Sequence, residues 1–198
     1  ASVARAIAAG IGCPLHLAPW SRLLVDTNRW LGHPKMFAPA SFGVRVPGNA
    51  RLTAEEQARR LRLYYFPYRN AVTADVLELV SEAGGCLHLS VHSFTPVVGG
   101  KVRNADVGLL YDPRRAHEVA FAARLRLLLE AHGLRVRFNY PYLGTSDGFV
   151  SWFRKHFPPA RYAGLEIEMN QRLLASPATA RRLREVVAAC VRLTLAAR

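Results

Sequence analysis

The sequence predicts an α/β fold in three layers, a mixed and mostly parallel sheet with helices on both faces. Three observations lead there. Short apolar runs alternate with helical stretches of ten or more residues, the pattern of strands joined by crossover helices. The 198 residues suffice for one substantial domain, which buries roughly 70% of its extended surface. Polar residues gather where the apolar runs stop, at the carboxyl ends of strands, where sheets of this class place ligands.

Residues 2 to 9 are helix formers stopped by Gly10 and Gly12. Pro14 to Pro19 and Arg22 to Val25 are short apolar runs read as strands, the second feeding into Asp26-Thr27-Asn28-Arg29. Gly32, Pro34, Pro39, Gly43, Pro47 and Gly48 punctuate residues 30 to 52 too heavily for a regular element, so a long loop is expected there. Thr53, followed by Glu55 and by Glu56 at N3, signals an N-cap with a capping box. The helix it opens runs to about Tyr65, where Pro67 is expected to break or kink it. A second helical stretch, Ala71 to Ala83, stops at Gly84-Gly85.

Cys86 to Val91 alternates with Leu87, Leu89 and Val91 on one face, and Ala105 to Tyr111 is a further apolar run; both read as strands. Helix 116–132 stops at Gly133, a strand covers 134–138, a loop 140–148, a short helix 149–157 and a strand 162–169. A closing helix over 178–197 is entered through Ser176-Pro177. No internal repeat or low-complexity segment interrupts this series, so residues 1–198 are read as a single domain.

Composition bounds the function. With 51% hydrophobic and 21% charged residues the chain is an ordinary globular one. Its 27 Lys and Arg against 14 Asp and Glu give a formal charge of +13. Such a field draws polyanions or gathers small anionic substrates. The basic residues are dispersed, with no block of five or six, which argues against nucleic acid as the partner. Cys13, Cys86 and Cys190 are odd in number and form no CxxC pair, so neither a disulfide framework nor a thiolate zinc knuckle is indicated, and a reducing, cytoplasmic setting is expected. No run of 18 apolar residues occurs, so no membrane association is expected. The chain opens on Ala, from which the expectation is a longer gene product.

In Leu165-Glu166-Ile167-Glu168-Met169-Asn170 a period of two puts the apolar side chains on one face and two carboxylates with an amide on the other. Two readings are open: an edge strand with one solvated face, or a buried Glu facing a cleft as a general base. His88 and His92 are four apart, which on a strand separates them by roughly 13 Å. One zinc, with ligand bonds of about 2 Å, cannot hold both. His92, at the strand's end beside Ser93, is the better candidate. His16, His33, His117, His132 and His156 give no HxxE, HExxH or HxH pattern, so this chain alone is not expected to complete a metal site. Asn28-Arg29 offers an amide beside a planar guanidinium, a pairing suited to a carboxylate, although Asp26 is also placed to form an ion pair with Arg29. Gly99-Gly100-Lys101 lacks the spacing and the hydroxyl residue of a P-loop, and no GxSxG elbow is present.

Four segments in order, SRLLVDTNRWLGHP, HLSVHSFTPVVGGKVRNADVGLLYDP, NYPYLGTSDGF and GLEIEMNQRL, resemble the N-formylglutamate amidohydrolase-like family over roughly residues 13 to 175. That family is related in fold to the zinc carboxypeptidases and aspartoacylases, so the resemblance implies a carboxypeptidase/phosphorylase-like sheet. It also implies a zinc-dependent hydrolase of an N-acyl, such as N-formyl, amino acid, acting through a metal-activated water. Residue by residue it implies that Asn28 and Arg29 hold the substrate carboxylate, that Arg22 polarises the scissile carbonyl, that His92 ligates zinc and that Glu168 is the general base, with Glu166 at a more variable position. The family's further zinc ligands lie in an N-terminal strand-loop segment that residues 1 to 12 do not match, so this segment is expected to be missing. The expected partner is a small anionic N-acyl amino acid; oligomeric state is left open. The alternative is a non-catalytic member that holds an anionic ligand or polyanion in the same basic cleft.

Overall fold

The computed structural model describes residues 1–196. Helix α1 (Ser2–Ile11) runs through Gly10 and ends at Gly12, whose left-handed φ of 67° lets its N–H close on the Ala8 carbonyl. The expected strands at 14–19 and 22–25 do not form. Residues 22–25 are turn and irregular backbone: Val25 is fully buried against Met36 and Tyr65, while Leu23 and Leu24 are only half-buried, so the run packs through single side chains and not through a strand pairing. The loop that follows holds only a two-residue hairpin, β1 (Ala40–Ser41) with β2 (Val44–Arg45), and a single 3-10 turn. Its order comes from side chains. Asn49 donates to the carbonyls of Leu23 and Ala38, and Arg60 donates to Leu24 O, Gly48 O and Asn49 Oδ1.

Thr53 caps α2 (Ala54–Arg60), its hydroxyl accepting from Glu56 N at 3.2 Å, while the Glu56 carboxylate turns instead to Arg59 and Arg60. The expected break at Pro67 is absent. The helix widens into one π turn, Leu61–Tyr65, and continues as α3 (Phe66–Glu82). The wider turn absorbs the N–H that proline lacks and the clash of its ring with the preceding turn.

Strand β3 (Cys86–Phe94) leads through a small hairpin, β4 (Val97–Val98) and β5 (Lys101–Val102), to β6 (Val107–Leu110). Helix α4 (Ala116–Ala131), β7 (Val136–Phe138), α5 (Phe149–His156), β8 (Tyr162–Asn170) and α6 (Pro177–Ala196) follow. The closing helix thus matches its expected span except that residue 197 lies outside the described residues. The sheet order is β3-β8-β6-β7, with β3 and β8 parallel, β6 and β7 parallel, and β8 against β6 antiparallel. The sheet is mixed, as expected.

Strand periodicity divides the two faces. Leu89, Val91, Val107, Leu109, Leu165, Ile167 and Met169 point toward α1, α4 and α6, where Ile7, Leu125, Leu129, Leu183, Val187 and Val191 complete the main core. The opposite face is apolar only at the amino end of β3 and β8. There Tyr162 meets Val72, Val76 and Val80 of α3 and Phe149, Val150 and Phe153 of α5. Close packing of α5 demands Gly164, since a Cβ there would lie 2.2 Å from Val150 Cγ1. Beyond that glycine the face turns polar.

Candidate active site

Strand β8 has neighbours on both sides, so the edge-strand reading of its carboxylates is overturned. Glu166 and Glu168 are 7% and 6% exposed. In the parallel register Ser90 lies beside Glu166 and His92 beside Glu168, all on the face away from the main core. Ser90 Oγ and His92 Nε2 are 2.8 Å apart, and Nε2 is 3.7 Å from Glu166 Oε2. Glu168 Oε2 is buried and, among the described residues, has no hydrogen-bond partner. A carboxylate oxygen in that position costs stability unless something else occupies the site.

Burial pushes both carboxyls above the usual range, with the His92 charge opposing it; Glu166 adds to the rise at Glu168 through like-charge repulsion. Arg29 draws Glu166 down, and Arg22 draws Glu168 down, so both guanidiniums act on the carboxylate pair. Opposite Glu168 in the antiparallel register stands Gly108, where a Cβ would lie 1.8 Å from Tyr140 O; the missing side chain lets the loop after β7 close over the sheet.

The Asp26–Arg29 turn reaches this edge from the far side of the chain. Asp26, 5% exposed, is its organising carboxylate. Oδ1 accepts from Asn28 N at 3.1 Å, Oδ2 accepts from Arg22 Nη2 at 2.7 Å, and Arg29 Nε lies 3.8 Å away. Asn28 Oδ1 accepts from Phe149 N at 2.8 Å, capping α5 from a distant point in the chain. Among the described residues its Nδ2 group donates to nothing. Arg29 Nη1 donates to the backbone and carboxylate of Asp147 at 3.1 Å, which also meets His33 Nε2 at 3.1 Å. The turn is bolted to the helices by Tyr65, which donates to Arg29 O, and by Arg69, which donates to Thr27 O while its guanidinium lies 3.6 Å over the Phe149 ring.

Sequence reasoning therefore named Arg22, Asn28, Arg29, His92 and Glu168, and the fold draws them to one edge. It passed over Asp26 as an organiser, and over Ser90, Asp147 and Arg69. Asp147 falls within the quoted NYPYLGTSDGF segment, so a signal for it existed; Arg69 lies in a helix with nothing local to mark it. His88 is separated from the site. Its Nδ1 is 2.9 Å from Tyr162 Oη, it stands edge-on to Phe149 and Phe153, and burial pushes its pKa down to about 4, so it is a neutral core residue at physiological pH.

Among the described residues no group of three His, Cys, Asp or Glu is arranged to hold a metal ion. His92 Nε2 is a single imidazole donor already shared with Ser90, whereas a catalytic zinc takes about three protein ligands. The residues present do not make up a metal shell by themselves.

Two solved structures share the architecture. A gene product of Agrobacterium tumefaciens, Atu2144, superposes with a TM-score of 0.79 at 25% identity, over 98% of this chain and 75% of that one. An N-formylglutamate amidohydrolase from Ralstonia eutropha superposes with a TM-score of 0.66 at 22% identity, over 88% of this chain and 73% of that one, a likeness of fold. Among curated proteins none matches. The class is thus a three-layer α/β domain with a polar edge at the carboxyl ends of two adjacent strands. The N-formylglutamate amidohydrolase family model matches residues 1–175, and the chain belongs to that family of amide hydrolases. Among the described residues no helix is long and apolar enough to cross a membrane.

Proposed function

We propose that this chain hydrolyses the amide bond of a small N-acyl amino acid, N-formylglutamate being the first candidate, with Glu168 as general base. The observation that carries the reading is the unpartnered, buried Oε2 of Glu168 on a central strand beside His92. A carboxyl whose pKa is raised toward neutrality by burial is better matched to taking a proton at working pH than a solvated one. In this scheme Glu168 takes a proton from the attacking water, the water oxygen bonds to the acyl carbon, and the C–N bond breaks as Glu168 returns the proton to the leaving amine.

Arg22, 64% exposed at its side chain and tethered to Asp26, has its remaining donors unpaired among the described residues and able to steady the charge that develops on the acyl oxygen. Asn28 Nδ2 and the Arg29 fork, aligned by Asp26 and Asp147, receive the substrate carboxylate. The net positive charge favours encounter with an anionic substrate. Zinc enters the proposal only as the group that His92 would help to hold, and a cytoplasmic setting accompanies it.

The test is release of formate and glutamate from N-formylglutamate, with and without added zinc. Wild-type chain should turn over. Glu168→Gln should keep its melting curve and lose at least a hundredfold in kcat, and an undiminished rate overturns the base assignment. A second reading, an anion-binding relative without catalysis, is favoured by the described residues, which include no group of three metal-donor side chains. Saturable N-formylglutamate binding that Arg29→Ala abolishes, with no hydrolysis under either condition, would establish it instead.

A further inference from the structure

A cavity of about 320 Å³ opens between the end of β6 and the last turn of α5, and none of its lining residues belongs to the edge described above. Four cations line it, Arg114, Arg115, Arg154 and Lys155, against the single carboxylate of Asp112. Two of these cations are already matched. Arg114 grips Asp112 with Nε at 2.9 Å and Nη2 at 2.7 Å. Arg154 grips the buried Glu118 with Nε at 3.0 Å and Nη2 at 2.9 Å, and spends its other N–H groups on Gly144 O, Gly164 O and Ser151 Oγ.

Arg115 and Lys155 are not matched. Arg115 is 8% exposed, and all its acceptors are neutral: Tyr162 O at 2.9 Å, Arg154 O at 2.6 Å and Phe157 O at 3.0 Å. Carbonyls satisfy its geometry but supply no countercharge, so a full positive charge sits almost out of water beside an open cavity. Those three bonds leave two of its five N–H groups without an acceptor among the described residues. Lys155, exposed at the same wall, forms no ion pair among the described residues. Two uncompensated charges, one a fixed planar fork and the other a mobile ammonium, are the complement of one dianion with several acceptor oxygens.

We propose that this cavity is a second binding site, specific for a phosphate dianion, either free or as the head of a small phosphomonoester. Its volume exceeds what a lone phosphate fills, leaving room for a short organic tail. Buried Arg115 gives the anchor and Lys155 the closing charge; the hydrolytic edge takes no part.

The experiment is calorimetry and thermal melting of the full chain with inorganic phosphate and, separately, glycerol phosphate, each against sodium chloride of equal ionic strength. Saturable binding with an upward melting shift over chloride is expected. Tighter binding of glycerol phosphate assigns the site to esters and tighter binding of phosphate to the free anion, either of which supports it. Lys155→Met should weaken binding about tenfold and Lys155→Glu should abolish it; both alter only an exposed side chain. Arg29→Ala, at the hydrolytic edge, should leave it unchanged. A shift no larger than chloride gives, a shift indifferent to both Lys155 variants, or one removed by Arg29→Ala would overturn the proposal.

Discussion

The two ends of the β3–β8 pair each bring a histidine near buried glutamate, Glu118 from α4 at the amino end and Glu166 with Glu168 at the carboxyl end, and the ends behave oppositely. At the amino end, Glu118 reaches in from α4 with 1% exposure. Its oxygens accept from Arg154 Nε and Nη2 and from the backbone N–H groups of Asp112 and Gly164. His88 there is closed in by Tyr162 and two phenylalanines. At the carboxyl end, Glu168 is nearly as deeply buried but among the described residues has an oxygen with no donor, and there His92 is held by Ser90 and a more distant Glu166. Equal burial thus serves structure where every lone pair is met and leaves capacity for chemistry where one is not.

Breaking the compensated end should produce the largest change in stability. Glu118→Gln keeps the shape but strands the Arg154 guanidinium in the interior, and chemical denaturation should register a loss of about 3–5 kcal/mol. If the loss is within 0.5 kcal/mol, roughly what a surface substitution gives, the two ends are not distinguished by charge compensation.

The histidines sharpen the contrast through pH. His88 has its pKa pushed from 6.5 down to about 4 by burial, so the unfolded chain binds a proton that the folded one refuses between these values. Stability should be intact above pH 6.5 and fall as pH drops from there toward 4, by about 1–3 kcal/mol in total. Denaturation midpoints measured across that window should flatten in His88→Gln. A slope that the variant leaves unchanged would assign the acid sensitivity to other groups.

The smallest effect belongs to Ser90→Ala, which removes the 2.8 Å contact to His92. A loss of about 1 kcal/mol or less is expected in the same denaturation assay. A larger loss would mean that the carboxyl end is as tightly interlocked as the amino end.

Much of the fold was legible because its signals are local. The stops at Gly12, Gly84 and Gly133, the Thr53 cap and the alternation in β3 and β8 depend on a few adjacent residues, and all appear where the sequence puts them. Arg22 to Val25 failed as a strand for the converse reason: its apolar run of three, Leu23 to Val25, is compatible with any buried path, and Val25 found its cover on Met36 and Tyr65. Pro67 failed as a breaker because the π turn Leu61–Tyr65 just before it eases the steric conflict that a local reading assumes, and the helix continues as α3.

Of the site, the sequence by itself determined the chemistry on offer: a DTNR turn, a histidine ending one strand and a carboxylate pair alternating along another. Only the tertiary structure decided that β8 is central and not an edge, which turns the same alternation from a solvated face into buried acid. It also decided which carboxylates are fully met and which, among the described residues, keep an oxygen without a donor, because the donors that settle this lie far along the chain, Gly164 N 46 residues from Glu118 and Arg29 Nη1 118 residues from Asp147. Residue type fixes what a group can do; desolvation and partners, which are properties of the folded neighbourhood, fix whether it is left able to do it.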